Sequence, residues 1–169
     1  MTHDGVTDYI SIPSGVANGA TSLWLSAWCR YDEMTTSDSV LTYRGTHVAT
    51  IGLDSSNTNI LEWSVTTDSA SAISATNSFA NDSWFKVDAV WQAGGAQSLY
   101  IDGALVSEIP TSAATTAITV DDIWRIASDD GTAGEFMQGD TDDVSIRVNV
   151  VPTSANVLTT YNNSSSVHP

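Results

Sequence analysis

The sequence predicts an all-β fold of antiparallel strands, and three stretches of its second half carry that prediction. Residues 99–109 read as a hairpin: an apolar run, Leu99-Tyr100-Ile101, then Asp102-Gly103, then a second run, Ala104-Leu105-Val106. An Asp-Gly pair supplies the positive φ angles that a two-residue turn of matching twist requires. Residues 144–150 set Val144, Ile146, Val148 and Val150 on one face and Ser145, Arg147 and Asn149 on the other. That is the period-two alternation of a half-buried strand. Residues 84–92 set Phe85, Val87, Ala89 and Trp91 against Trp84, Lys86, Asp88 and Val90. Helical periodicity fits none of the three.

The first half adds an opening phrase, Asp4-Gly5-Val6-Thr7-Asp8-Tyr9-Ile10-Ser11-Ile12-Pro13, and a strand over 23–31. In that strand Trp24, Ser26, Trp28 and Arg30 share a face opposite Leu23, Leu25 and Ala27, with Cys29 on the apolar side. The Ser- and Thr-rich stretches 66–78 and 110–119 read as rim loops and polar strands, and 123–128 as a further strand. Gly139-Asp140-Thr141-Asp142-Asp143-Val144 leads into the last one.

Taken in order, these pieces resemble the laminin-G-like branch of the concanavalin A-like lectin/glucanase superfamily, and the resemblance spans nearly the whole chain. It implies a two-sheet antiparallel β-sandwich of the concanavalin A-like jelly-roll type, with a short C-terminal helix. Residues 152–161 fit that helix, with Thr153 or Ser154 available to accept its first free N–H groups.

A chain of 169 residues forms one domain, long enough to bury a two-layer core. Its 20 Asp+Glu against 5 Lys+Arg give a formal net charge of −15. Over the roughly 8,000 Å² of surface expected from its mass, that is one uncompensated negative charge per ~500 Å². Such a chain lacks the clustered Lys and Arg that bind phosphates, and an anionic bilayer repels it, so neither nucleic acid nor a membrane is an expected partner. No run approaches the ~18 apolar residues of a membrane span. Lys86 is the one lysine, and aspartates far outnumber glutamates. A surface of this kind repels itself until salt shortens the Debye length to about 3 Å at 1 M, which points to a high-salt setting.

Cys29 is the one cysteine, so no intrachain disulfide forms. On the apolar face it reads as a small buried hydrophobe, far in sequence from His3, His47 and His168. A glucanase of this fold would carry a Glu-x-Asp-x-x-Glu strand for two carboxylates in one cleft. Glu33, Glu62, Glu108 and Glu135 stand apart instead, and no Gly-x-Ser-x-Gly elbow, phosphate loop or Cys-x-x-Cys occurs. The expectation is a protein that is not an enzyme.

Two ligand sites are candidates. The resemblance implies a structural calcium ion where first and last strands meet, for which Asp4, Gly5 and Asp8 with Asp142 and Asp143 would supply oxygens. The competing reading is that Asp4 and Asp8 shape the opening turn while Asp142 and Asp143 anchor loop amides. A second acidic cluster, Asp121-Asp122 and Asp129-Asp130-Gly131, does not match the twelve-residue calcium loop and reads as turn chemistry. For a glycan, Trp24, Trp28 or Trp63 could offer an apolar plate to a sugar ring if its sheet face is open. The competing reading is that these indoles fill the interior.

The chain opens at Met1 with no basic, apolar leader, so export by a cleaved signal is not expected. A non-catalytic sandwich with an acidic, solubilising surface suits a virion surface protein of a halophilic or marine virus. There it would be a capsid decoration, turret or tail appendage, forming a homo-oligomer or meeting other virion structural proteins, and contacting a host-surface glycan. The alternative is a free or secreted extracellular module, lectin-like and calcium-dependent, for carbohydrate binding or adhesion.

Overall fold

Strands form where apolar and polar residues alternate, and turns form where Gly or Asp takes a positive φ. A computed structural model describes residues 1–34, 38–44, 46–54, 57–76, 80–119, 123–128 and 136–167. Among these residues two antiparallel six-stranded sheets form a sandwich. The first runs β1 (Thr2–Asp4), β12 (Gln138–Val148), β3 (Ser22–Glu33), β8 (Phe85–Gln92), β9 (Gln97–Ile101), β10 (Ala104–Ile109). The second runs β2 (Ile10–Ile12), β11 (Trp124–Ile126), β4 (Ser39–Arg44), β5 (Val48–Asp54), β6 (Asn57–Thr66), β7 (Ala70–Thr76).

The facing sides hold the core. Leu23, Leu25, Ala27 and Cys29 of β3 and Phe85, Val87, Ala89 and Trp91 of β8 belong to one cluster with Ile51, Leu61, Trp63 and Trp124 of the second sheet. Trp63 Nε1 donates across the sandwich to the Val90 carbonyl at 3.0 Å, which satisfies the one polar atom its ring brings inside. Burial pushes the Cys29 thiol well above its ordinary range, so it stays an inert hydrophobe.

The turn of the β9–β10 hairpin has φ of 50° at Asp102 and 77° at Gly103, as the Asp-Gly pair predicts. The last strand is longer than the alternation alone suggests, beginning at Gln138 because its first residues pair with both β1 and β3. Val144, Ile146 and Val148 pack on the core as expected, whereas Val150 lies beyond the strand and is exposed. A β-bulge interrupts β12 between Asp142 and Ser145, where Asp143 takes φ 47°.

The closing helix, α1, runs Ser154–Ser164. Thr153 is its N-cap: its hydroxyl accepts from the Asn156 N–H at 3.2 Å, and Asn156 Oδ1 accepts from the Thr153 N–H at 3.0 Å. This reciprocal capping box holds the first turn. The helix lies on the outer face of the first sheet, where Val157 joins Trp24, Val90 and Tyr100 in a second apolar cluster. Among the described residues no helix is long and apolar enough to cross a membrane.

Candidate functional site

The register of the first sheet assembles a recess on its outer face, beside α1. Across β12, β3 and β8, Ser145 pairs with Ser26 and Ser26 with Asp88, while Arg147 pairs with Trp24 and Trp28 with Lys86. Side chains in one such grid share a face. The bulge at Asp142 to Ser145 adds one residue to β12 and bends it locally, and α1 brings Thr160 and Ser164 from the other side. The result is an open recess of about 340 Å³ lined by four hydroxyl side chains, Lys86, Arg147, Asp143 and Val144.

Beneath it lies a buried polar network. Trp24 Nε1 donates to Asp88 Oδ1 at 2.8 Å, and Lys86 Nζ sits 3.5 Å from Asp88 Oδ2. Lys86 Nζ also donates to Thr160 Oγ1 at 2.8 Å, which ties β8 to the helix. Asp88 is fully buried and Lys86 is 4 % exposed, so this pair has left water and depends on its mutual geometry. Arg147 lies over the Trp24 ring with its guanidinium carbon 4.0 Å from the centroid, a cation–π contact. Ser26, also 4 % exposed, makes no side-chain hydrogen bond among the described residues and lines the recess.

The three indoles expected as glycan platforms are elsewhere than that expectation needs. Trp63 fills the core between the sheets. Trp24 and Trp28 do face outward, but α1 covers them: Trp28 stacks on Tyr161 at 5.7 Å between centroids and donates to Ser164 Oγ at 3.0 Å. At 5 %, 2 % and 0 % exposure, Trp24, Trp28 and Trp63 offer no ring face to a sugar. Alternation marks this face as aromatic, but it carries no signal that the helix of residues 154–164 covers it.

The residues expected to share a calcium ion are not brought together. Asp4 pairs with Gln138, whereas Asp142 lies four residues farther along β12, about 13 Å at ~3.3 Å per residue. Asp4 Oδ1 accepts from the N–H groups of Val6, Thr7 and Asp8 at 2.8, 2.8 and 3.0 Å. Those backbone donors, with the Thr7 hydroxyl, hold the Asp4 carboxyl far below its usual range and surround it with positive ends of dipoles. Such a pocket suits an anionic side chain and disfavours a cation, so the residues present do not fit the shared ion; Asp4 shapes the turn through Gly5, which has φ 70°. Asp142 Oδ1 likewise accepts from the Asp143 N–H at 2.9 Å. Among the described residues no three His, Cys, Asp or Glu are grouped to hold a metal. The acidic cluster at 121–122 and 129–131 lies outside the described residues.

Between those two segments, Arg30 pairs with Asp140 and with Asp32 at 3.1 Å, while Thr2 Oγ1 donates to Asp140 Oδ1 at 2.6 Å. Burial raises the Asp140 pKa, but these hydrogen bonds and the Arg30 charge outweigh it and hold the group low. The cluster ties β1, β12 and β3 together.

The recess residues carry a signal that alternation partly reveals. Ser145 and Arg147 fall on the polar face of the last strand, Ser26 on the Trp24 face, and Lys86 on the polar face of the Trp84 strand. What links them is that β12, β3 and β8 are neighbours, a long-range fact that no local pattern contains.

A sandwich with this strand order, closed by a helix on one outer face, belongs to the lectin-like jelly-roll class. Glu33, Glu62 and Glu108 stand on three different strands, so none of these strands presents the paired carboxylates of a glucanase. The family model of the laminin-G type within the concanavalin A-like lectin/glucanases superfamily matches residues 4–157, and the chain belongs to that family. No curated protein sequence matches it.

Among solved structures, domain 4 of a GH43 extracellular arabinanase from Geobacillus stearothermophilus, solved with arabinotriose, is similar at 15 % identity and TM-score 0.75. That match covers 94 % of this chain and 74 % of the other. A heptameric SAP-like pentraxin from Limulus polyphemus is similar at 13 % identity and TM-score 0.68, covering 95 % and 80 %. The receptor-binding domain of botulinum neurotoxin D is similar at 12 % identity and TM-score 0.73, covering 96 % of this chain and 43 % of that one. At these identities the likeness is one of fold.

Proposed function

We propose that the chain is a non-catalytic glycan-binding module and that the recess between the β12 bulge and α1 is where a saccharide sits. One observation carries the reading: hydroxyl groups from β3, β12 and α1 converge with Lys86 and Arg147 on one recess of about 340 Å³. Pockets of about 300–1,000 Å³ accept small ligands, and converging donors and acceptors match a sugar's ring of hydroxyls. The buried Ser26, whose hydroxyl makes no hydrogen bond among the described residues, supplies a group for a ligand to satisfy. The arabinotriose bound by the arabinanase domain of similar fold supports a saccharide as ligand class. The test is a glycan array followed by calorimetric titration of each hit, with Ser145→Trp to fill the recess. Binding that S145W abolishes while the circular dichroism stays unchanged is expected. No glycan bound, or binding indifferent to S145W, overturns the reading.

The narrower setting, a virion surface protein of a halophilic or marine virus that presents this module to host glycans, draws on the charge. A net charge of −15 stands on a surface from which the one lysine is withdrawn, because Lys86 is buried under α1. Self-repulsion of such a surface is relieved by salt, which favours assembly with further copies. Light scattering at 0.15 M and 2 M salt tests it. A closed oligomer that persists only in high salt supports the setting, and a monomer indifferent to salt removes it and leaves the free lectin-like module.

A further inference from the structure

We infer that the recess selects a sugar unit bearing a carboxylate and that Arg147 anchors it, an inference that rests on the glycan-binding reading above. Arg147 is exposed and lies over Trp24, yet among the described residues its guanidinium has neither a carboxylate partner nor a hydrogen bond. That is a notable vacancy in a chain with 20 Asp+Glu, where Arg30 alone gathers Asp32, Asp82 and Asp140. The ring beneath Arg147 is itself immobilised, by the Nε1 hydrogen bond to Asp88 and by packing on Val90, Tyr100 and Val157. Stacking on a fixed indole restrains a guanidinium while leaving its N–H donors free, and a planar fork of donors matches a carboxylate's two oxygens.

The second cation works differently. Lys86 is neutralised by Asp88 and held by Thr160, so it offers the ligand a donor more than a net charge. Arg147 is therefore the recess cation whose guanidinium fork is open to a ligand, with the opposite charge of Asp143 set on the exposed rim. The hydroxyls of Ser26 and Ser145 remain for the sugar's own hydroxyls, while that of Ser164 is engaged by Trp28 Nε1 and the Thr160 carbonyl. An acidic pyranose satisfies both halves of this lining, whereas a neutral sugar leaves the guanidinium without its match.

Calorimetric titration with matched pairs tests this: glucuronide against glucoside, galacturonide against galactoside, and sialyllactose against lactose, each with wild type, Arg147→Gln and Arg147→Lys. In at least one pair the acid is expected to bind tenfold or more tightly than its neutral partner. R147Q brings that pair to within about twofold, and R147K, which keeps the charge without the fork, lies between. Thermal melts of both variants confirm that they are folded. If acid and neutral members bind alike, or R147Q leaves their ratio intact, the carboxylate inference falls while the glycan reading stands, provided S145W still blocks binding. A glucose 6-sulfate that binds more tightly than the glucuronide overturns the carboxylate in favour of sulfate. If no sugar of either kind binds, the glycan reading itself has failed.

Discussion

Replacing Lys86 by Met leaves Asp88 as a charge with no route to water, and the structure says this costs more than the converse change. Asp88 is 0 % exposed; its Oδ1 accepts from Trp24 Nε1, but its Oδ2 has Lys86 Nζ at 3.5 Å and no hydrogen-bond partner. Removing one member of a buried pair costs about 3–5 kcal/mol when the other is left uncompensated. K86M falls in that range. In Asp88→Asn the Trp24 hydrogen bond survives, and Lys86 can turn its ammonium toward the recess that it lines, so the cost is about 1–3 kcal/mol. The double variant K86M/D88N removes both charges and is less damaged than the sum of the two, with a coupling of about 1–3 kcal/mol. Urea unfolding gives the free energies, and melting gives a parallel reading at about 2–4 °C per kcal/mol for a chain of this size. A K86M loss below 1 kcal/mol, or one smaller than that of D88N, would refute the reasoning, because it would show that α1 does not seal this face.

Asp68 gives a pH-dependent prediction. Its carboxylate accepts from the Thr115 hydroxyl, the Thr115 N–H and the Thr67 hydroxyl, which together hold it far below the usual carboxylate range. A depressed folded pKa adds stability above the unfolded value of about 3.9 that is lost as the pH falls through the folded one. Asp68→Asn is therefore expected to lower the melting temperature at pH 7, with the gap from wild type closing as the pH drops below about 4; a gap that widens in acid contradicts the sign. Gly103 has φ 77° in the hairpin turn, and a Cβ there would lie 3.1 Å from both Leu158 Cδ1 and Tyr161 Cβ. Gly103→Ala is expected to cost more than about 1 kcal/mol in urea unfolding and to shift the near-ultraviolet dichroism of the Trp28–Tyr161 stack, since the new methyl presses on α1. An unchanged spectrum would mean that the helix does not bear on the turn.

Much of the sandwich was readable from local pattern, because period two assigns every residue of a strand to a face without reference to its neighbours. Alternation points Cys29, Leu25 and Ala27 inward, where they lie in the core, and the Asp102-Gly103 turn has the backbone its residues require. Face assignment does not say what covers a face. Trp24 and Trp28 would read the same on an open platform or beneath a helix, and only the docking of α1 decides between them. The same gap explains Lys86 and Asp88, which alternate with apolar residues as solvent-facing groups do and yet are buried. Asp4 shows a different limit: an Asp-Gly turn looks alike whether its carboxylate takes a cation or three backbone amides, and the hydrogen bonds settle on the amides.

The helix that hides the indoles also builds the recess, so the ligand binding proposed for this face is linked to folding. Thr160 and Ser164 line the recess from α1, and through Lys86 Nζ and Trp28 Nε1 they also fasten the helix to the sheet. Val157 is the one α1 residue that is fully buried, and with the Tyr161 stack on Trp28 and the polar ties it holds the helix to the sheet. A docked helix presents a hydroxyl-lined site, whereas an undocked one exposes Trp24 and Trp28 and dissolves that site. A ligand that binds the docked form alone stabilises it by RT ln(1 + [L]/Kd), about 2.7 kcal/mol at a hundredfold excess over Kd. Loosening the anchor must then weaken ligand affinity even though Val157 does not line the recess, whereas a site formed by the sheet alone would show no such coupling.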